Sequence, residues 1–165
     1  MRKLAFVTLM VLAACSEEKA QPENKAALAI QPGQWETTIE MAKMAMADKT
    51  ESPVKDGTKT TASACVTAEQ VAKPEPTLFA GSAGTCKYDN FYMSAGRFNA
   101  SMTCQEPGFK GNVVSNVDGN YTATSFETSV SSATYTGNSD FSRTTKVTGR
   151  RVAETCAPVE ETKAG

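Results

Sequence analysis

Along residues 33–41, GQWETTIEM, Trp35, Thr37, Ile39 and Met41 alternate with Glu36, Thr38 and Glu40. A period of two is the mark of a strand with one buried side, so Trp35 is expected in the core. From Ile30 onward the chain is rich in Thr, Ser, Val, Tyr and Phe, is punctuated by Gly and Asn, and shows little period of 3.6. That pattern predicts an all-β domain.

The most regular stretch is CKYDNFYMSAGRFNASMTC, in which Cys86 and Cys104 lie equally far from Ala95. The symmetry predicts a hairpin, with Met93 opposite Arg97 across a loop Ser94-Ala95-Gly96 and Gly96 in the left-handed conformation. One face then carries Cys86, Tyr88, Asn90, Tyr92, Phe98, Ala100, Met102 and Cys104, and is expected to face the core. The other carries Phe91 and Met93 to solvent. A slip of one residue would exchange the faces and part the cysteines, so the pattern supports a Cys86–Cys104 disulfide and leaves Cys65 for Cys156. By unfolded-state entropy the shorter bridge adds ~3 kcal/mol and the longer one ~4.5 kcal/mol.

Thr67-Ala68-Glu69-Gln70 has the form of a capping box and predicts one short helix near residues 67–72, ended by Pro74 and Pro76. Asp118-Gly119 and Gly137-Asn138 are expected to be tight turns. Adjacent strands joined by short turns describe an antiparallel meander forming a curved sheet or open barrel.

Before this domain the pattern changes. Arg2 and Lys3 precede an apolar run, Leu4 to Leu12, that is far shorter than the ~20 residues needed to span a bilayer. A removed export signal is the better reading. Ordinary cleavage near Ala13 or Ala14 would leave Cys15 as a free thiol in an oxidising compartment. Alternatively, Leu12-Ala13-Ala14-Cys15 resembles the bacterial lipobox, which implies acylation of Cys15 after removal of residues 1–14. The second reading is favoured, because it removes an exposed thiol and leaves four of the five cysteines for two disulfides. Ser16 after the cysteine, where lipoproteins held at the inner membrane carry aspartate, implies outer-membrane attachment facing the periplasm. Three acyl chains at ~0.8 kcal/mol per methylene make such an anchor effectively permanent. Residues 15–29 read as a lipidated flexible tether, 30–156 as a single β domain of about 125 residues, and 157–165 as a disordered tail.

Charge narrows the partners. Loss of Arg2 and Lys3 turns 17 basic and 18 acidic residues into a net charge of about −3, which argues against nucleic acid. Arg143, Lys146, Arg150 and Arg151 are expected to split between two faces of a solvated, salt-bridging edge. The chain has no histidine, which removes Ser/His and Cys/His nucleophiles, imidazole acid–base catalysis and His-based zinc sites. Met41, Met44 and Met46 have the thioether chemistry of Cu(I) ligands, but core or rim packing is the better reading, with Met44 and Met46 on one face and Met41 on the other. Glu36, Glu40, Asp89, Glu127 and Asp140 are the carboxylates from which a hydrolase pair would have to come. No cofactor or metal is expected.

QPGQWE (31–36), CVTAEQV (65–71), GTCKYDNFYMSAGRF (84–98), MTCQ (102–105) and TGRRVAETC (148–156) together resemble the bacterial family named domain of unknown function 3617. The resemblance implies a small exported or lipid-anchored β domain and carries no catalytic residues. The expected function is a non-catalytic binding or accessory module of the cell envelope, joined to the membrane through Cys15. Its partner would be an apolar ligand, a lipid or a protein, held by an interior lined by Tyr88, Tyr92 and Phe98. A purely structural envelope protein meeting its partner through Phe91 and Met93 is the alternative.

Overall fold

A computed structural model describes residues 29–82, 84–137 and 140–157. Seven strands form one antiparallel sheet: β1 (Gly33–Met46), β2 (Lys59–Val66), β3 (Thr85–Ser94), β4 (Arg97–Gln105), β5 (Val113–Tyr121), β6 (Ser125–Thr134) and β7 (Phe141–Ala153). Their spatial order is β2-β1-β7-β6-β5-β4-β3, so β3 to β7 are a meander and the β1–β2 hairpin is added alongside β7. The sheet is open, with β2 and β3 as its edges. The chain leaves β2 at one edge and enters β3 at the other, a crossover that the turn pattern does not announce.

That crossover contains α1 (Pro76–Ala80). Five residues are too few for a helix to persist on its own, so tertiary burial must hold it. Pro76, Leu78, Phe79 and Ala80 are all buried, and Gly81 ends the helix in the left-handed conformation with its N–H bonded to the Thr77 carbonyl. Phe79, 0% exposed, stacks on Phe98 at 4.1 Å between centroids and meets Phe126 edge-on at 4.8 Å. Thr128 Oγ1 donates to the Phe79 carbonyl at 2.9 Å, which pins the plug to β6. Trp35, also 0% exposed, stacks near Phe126 and donates through Nε1 to the Gln31 carbonyl.

The helix therefore lies several residues beyond the expected position. At Thr67 the capping contact does form, since its N–H donates to Gln70 Oε1 at 3.0 Å. Only turns follow, closed by Gln70 N–H to Thr67 O and Lys73 N–H to Gln70 O. A good cap cannot hold a segment in which only Val71 packs on the core before Pro74, whereas Pro76–Ala80 has four residues to bury.

Cys86 and Cys104 are directly paired across β3 and β4, and both disulfides have the expected partners, Cys86–Cys104 and Cys65–Cys156. Beyond Tyr88 the register shifts at Asp89, and from there Phe91 faces Ala100 and Met93 faces Phe98. The turn is accordingly two residues, Ala95-Gly96, with φ of 50° and 77° rather than three. Bulge and shorter turn cancel at the cysteines but reverse β3 from Asn90 to Met93, while Tyr88 and the β4 residues Phe98, Ala100 and Met102 keep the expected inward side. Phe91 and Met93 pack against the core, and Tyr92 is 57% exposed.

Asp118-Gly119 is not a turn but the middle of β5, where Gly119 opposes Thr128. A Cβ on Gly119 would lie 2.2 Å from the Glu127 carbonyl oxygen, so close approach of β6 is what requires glycine there. The real turn is at 122–124, where Thr122 Oγ1 accepts from the Thr124 and Ser125 N–H groups. Gly137 does lie in the β6–β7 connection, with φ of 82°; Asn138 is outside the described residues.

Candidate functional site

Every strand side chain has one of two destinations, and the sheet's two faces differ sharply. The inner face holds Trp35, Phe98, Met102, Val113, Val117, Val130 and Val147, with α1 laid over it. Tyr88 is part of this cover: its hydroxyl donates to the Pro74 carbonyl at 3.0 Å, and burial, with Glu75 nearby, pushes its phenol well above the ordinary value. An interior lined by Tyr88, Tyr92 and Phe98 is not what forms, because Tyr92 points out and Phe79 fills the space against Phe98.

The methionines belong to the same core. Met44 is buried, and Met41 and Met46 pack against the same cluster. A register shift between Met41 and Lys43 breaks strand parity, which is why Met41 is not opposite the other two. Their thioethers are spent on packing.

On the outer face the charges neutralise one another. Lys59 Nζ reaches Glu40 at 3.1 Å, Lys146 Nζ reaches Glu127 at 2.9 Å, and Arg150 reaches Glu36 at 2.8 Å. Arg151 Nε donates to the Pro32 carbonyl at 2.7 Å. The cationic residues thus do form salt bridges, but β7 lies between β1 and β6 and is not an edge. Arg143, the fourth, reaches inward to Glu106, whose carboxylate also accepts from Ser82 Oγ at 3.2 Å. This half-hidden pair ties β7 to the loop after β4, and Arg143 Nε has no partner among the described residues.

The remaining carboxylates serve local structure. Asp89, at the bulge, accepts from Thr103 Oγ1 at 2.7 Å. Asp140 accepts the N–H groups of Thr136 and Gly137 at 2.6 and 2.9 Å, and these bonds hold its carboxyl below the ordinary 3.8. Glu36, Glu40, Asp89, Glu127 and Asp140 each have a separate partner. Among the described residues no three His, Cys, Asp or Glu are grouped as metal ligands, and no helix is long and apolar enough to cross a membrane.

A cleft on the outer face, lined among others by Lys43, Val114, Asn116, Ser131, Tyr135 and Thr144, went unnoticed in the sequence pattern. The only signal was an aromatic placed just past the last inward residue of an alternating strand, SVSSATY. Tyr135 is 82% exposed there. Cys15, residues 1–14, the tether up to residue 28 and the tail from 158 lie outside the described residues.

Among curated proteins and among solved structures, none matches the chain. A family model does match residues 30–156, the span that contains the whole sheet, Trp35 and all four paired cysteines. The chain belongs to the family described as "Protein of unknown function (DUF3617)".

Proposed function

We propose that this protein is a non-catalytic accessory module of the bacterial cell envelope, held to the outer membrane by acylation of Cys15 and binding its partner through its outer face. One observation carries the reading: the sheet is polar end to end with respect to its entry point. Ile30 is buried and Gln31 N–H bonds to the Ala123 carbonyl, so the chain enters beside the 122–124 turn. The Ala95-Gly96 turn, the end of β7 and the Cys65–Cys156 bridge are at that same end. The loops 47–58 and 106–112 and residues 135–137 are at the other. A tether arriving at Ile30 would place the first end toward the lipid and present the second to the periplasm.

The inner face supports a binding role for the outer one, because α1 already occupies the apolar surface on which an apolar ligand would sit. The alternative of docking through exposed Phe91 and Met93 loses its basis, since both pack inward.

Intact-mass analysis of the protein taken from membranes of native cells tests the anchor. The expected product begins at Cys15, carries acyl mass and has four oxidised cysteines, and C15S should move the protein to the soluble fraction. A membrane-free protein retaining residues 1–14 would overturn the reading.

A further inference from the structure

We propose that the outer-face cleft between β1, β7, β6 and β5 is an oligosaccharide-binding site, suited to a linear β-linked amino-sugar chain. Two cross-strand rows form its floor. Lys43, Thr144, Ser131 and Asn116 are successive partners in one, and Ala45, Ser142, Ala133 and Val114 in the other. With strands about 4.8 Å apart, each row runs about 14 Å, room for roughly three pyranose rings. The cleft is open to solvent, with a volume of about 310 Å³.

Part of the outer face is tied by its own side chains: Asn99 to Asp118, Asn90 to Ser101, Thr103 to Asp89, and the three ion pairs to their own partners. The side chains of Asn116, Ser131, Ser142 and Thr144 make no hydrogen bond within the described residues. They leave donors and acceptors free beside a row of small apolar surface. That alternation suits a sugar ring, whose hydroxyl and acetamido edge needs hydrogen bonds and whose C–H face needs an apolar wall.

Tyr135 supplies the wall. A phenol ring left 82% exposed at a cleft offers large stacking area at small entropic cost. Thr136 and Gly137, the two residues that follow it, are held by Asp140 through their N–H groups, which restrains the backbone beside the ring. No carboxylate lines the cleft, so a cation is disfavoured. Lys43, at one end of the polar row, would meet an acidic substituent on alternate sugars. The floor is too polar for an acyl chain.

The identification of the glycan as an envelope polymer rests on the proposed location, but the binding chemistry can be measured apart from it. The full-length C15S protein, unanchored, would be titrated with β-1,4-linked N-acetylglucosamine trimer to hexamer and with the N-acetylglucosamine–N-acetylmuramic acid disaccharide, following backbone amide shifts. Saturable shifts at Asn116, Ser131 and Thr144 are expected, with affinity about tenfold weaker in Y135A and unchanged in Y92A, an exposed tyrosine at the other end. A K43A variant should lose only any preference for the carboxylated sugar. The proposal is overturned if neither glycan gives saturable shifts, or if Y135A binds as well as the parent. A negative result here leaves the acyl anchor intact, and loss of the anchor leaves this titration unaffected.

Discussion

The two faces of this sheet solve the same problem in opposite ways. On the inner face a five-residue helix, of no stability by itself, is pressed into place and completes a core in which Phe79, Phe98 and Trp35 touch no solvent to speak of. On the outer face none of the described residues is laid over the strands, and some side chains pair across strands while others, those of the cleft rows among them, make no hydrogen bond. Stability is thus concentrated on one side, which leaves the other free to vary its chemistry with little energetic consequence.

The largest break of that asymmetry should come from Phe79→Ala. Removing the plug from a close-packed site costs about 4 kcal/mol, read as a lower midpoint in denaturant unfolding. A cost under 1 kcal/mol would mean that α1 does not complete the core. Next, replacing Cys86 and Cys104 together by serine should cost about 3 kcal/mol, since Cys104 is wholly buried and its bridge closes the β3–β4 hairpin. Outer-face changes should be small: Asn116→Ala and Ser131→Ala are each expected within about 0.5 kcal/mol of the parent. A larger loss in either would show that the cleft row carries structural weight.

The smallest effect is local. Asp140 has its folded carboxyl held below 3.8, first by the Thr136 N–H and then by that of Gly137. A depressed folded value stabilises above the unfolded one, so the loop contact is complete at neutral pH and is lost as pH falls through the folded value, below 3.8. The Thr136 and Gly137 amide signals should therefore titrate with a midpoint below 3.8, with no change in the global unfolding of the neutral protein. A midpoint at or above 3.8 would refute the contact.

How far the sequence could be read depended on whether neighbours along the chain or neighbours across the sheet set a residue's place. Strand β1 was legible at its start because Trp35, Thr37 and Ile39 alternate without interruption, and both disulfides were legible because Cys86 and Cys104 are symmetric about their turn. Their symmetry also hid an error. An extra residue at Asp89 and a turn one residue shorter leave the cysteines aligned while reversing Phe91, Tyr92 and Met93. Gly119 was misread for a similar reason: local chemistry suggests a turn, but the crowding that requires glycine comes from β6. Helix α1 is stabilised almost entirely by burial, which no capping residue announces. The outer cleft was the least legible, because its rows combine residues drawn from four strands.

The Cys65–Cys156 bridge has a mechanical corollary. Tension arriving through the residues before Ile30 would pull along the axis of β1, which lies between β2 and β7. Cys65 lies in β2 opposite Gln34 and Cys156 follows β7, so the covalent link joins the two flanks of the strand being pulled. Sliding β1 out would then load both hydrogen-bonded ladders in shear at once, instead of peeling them rung by rung, and the domain should resist dragging far better than its modest size suggests.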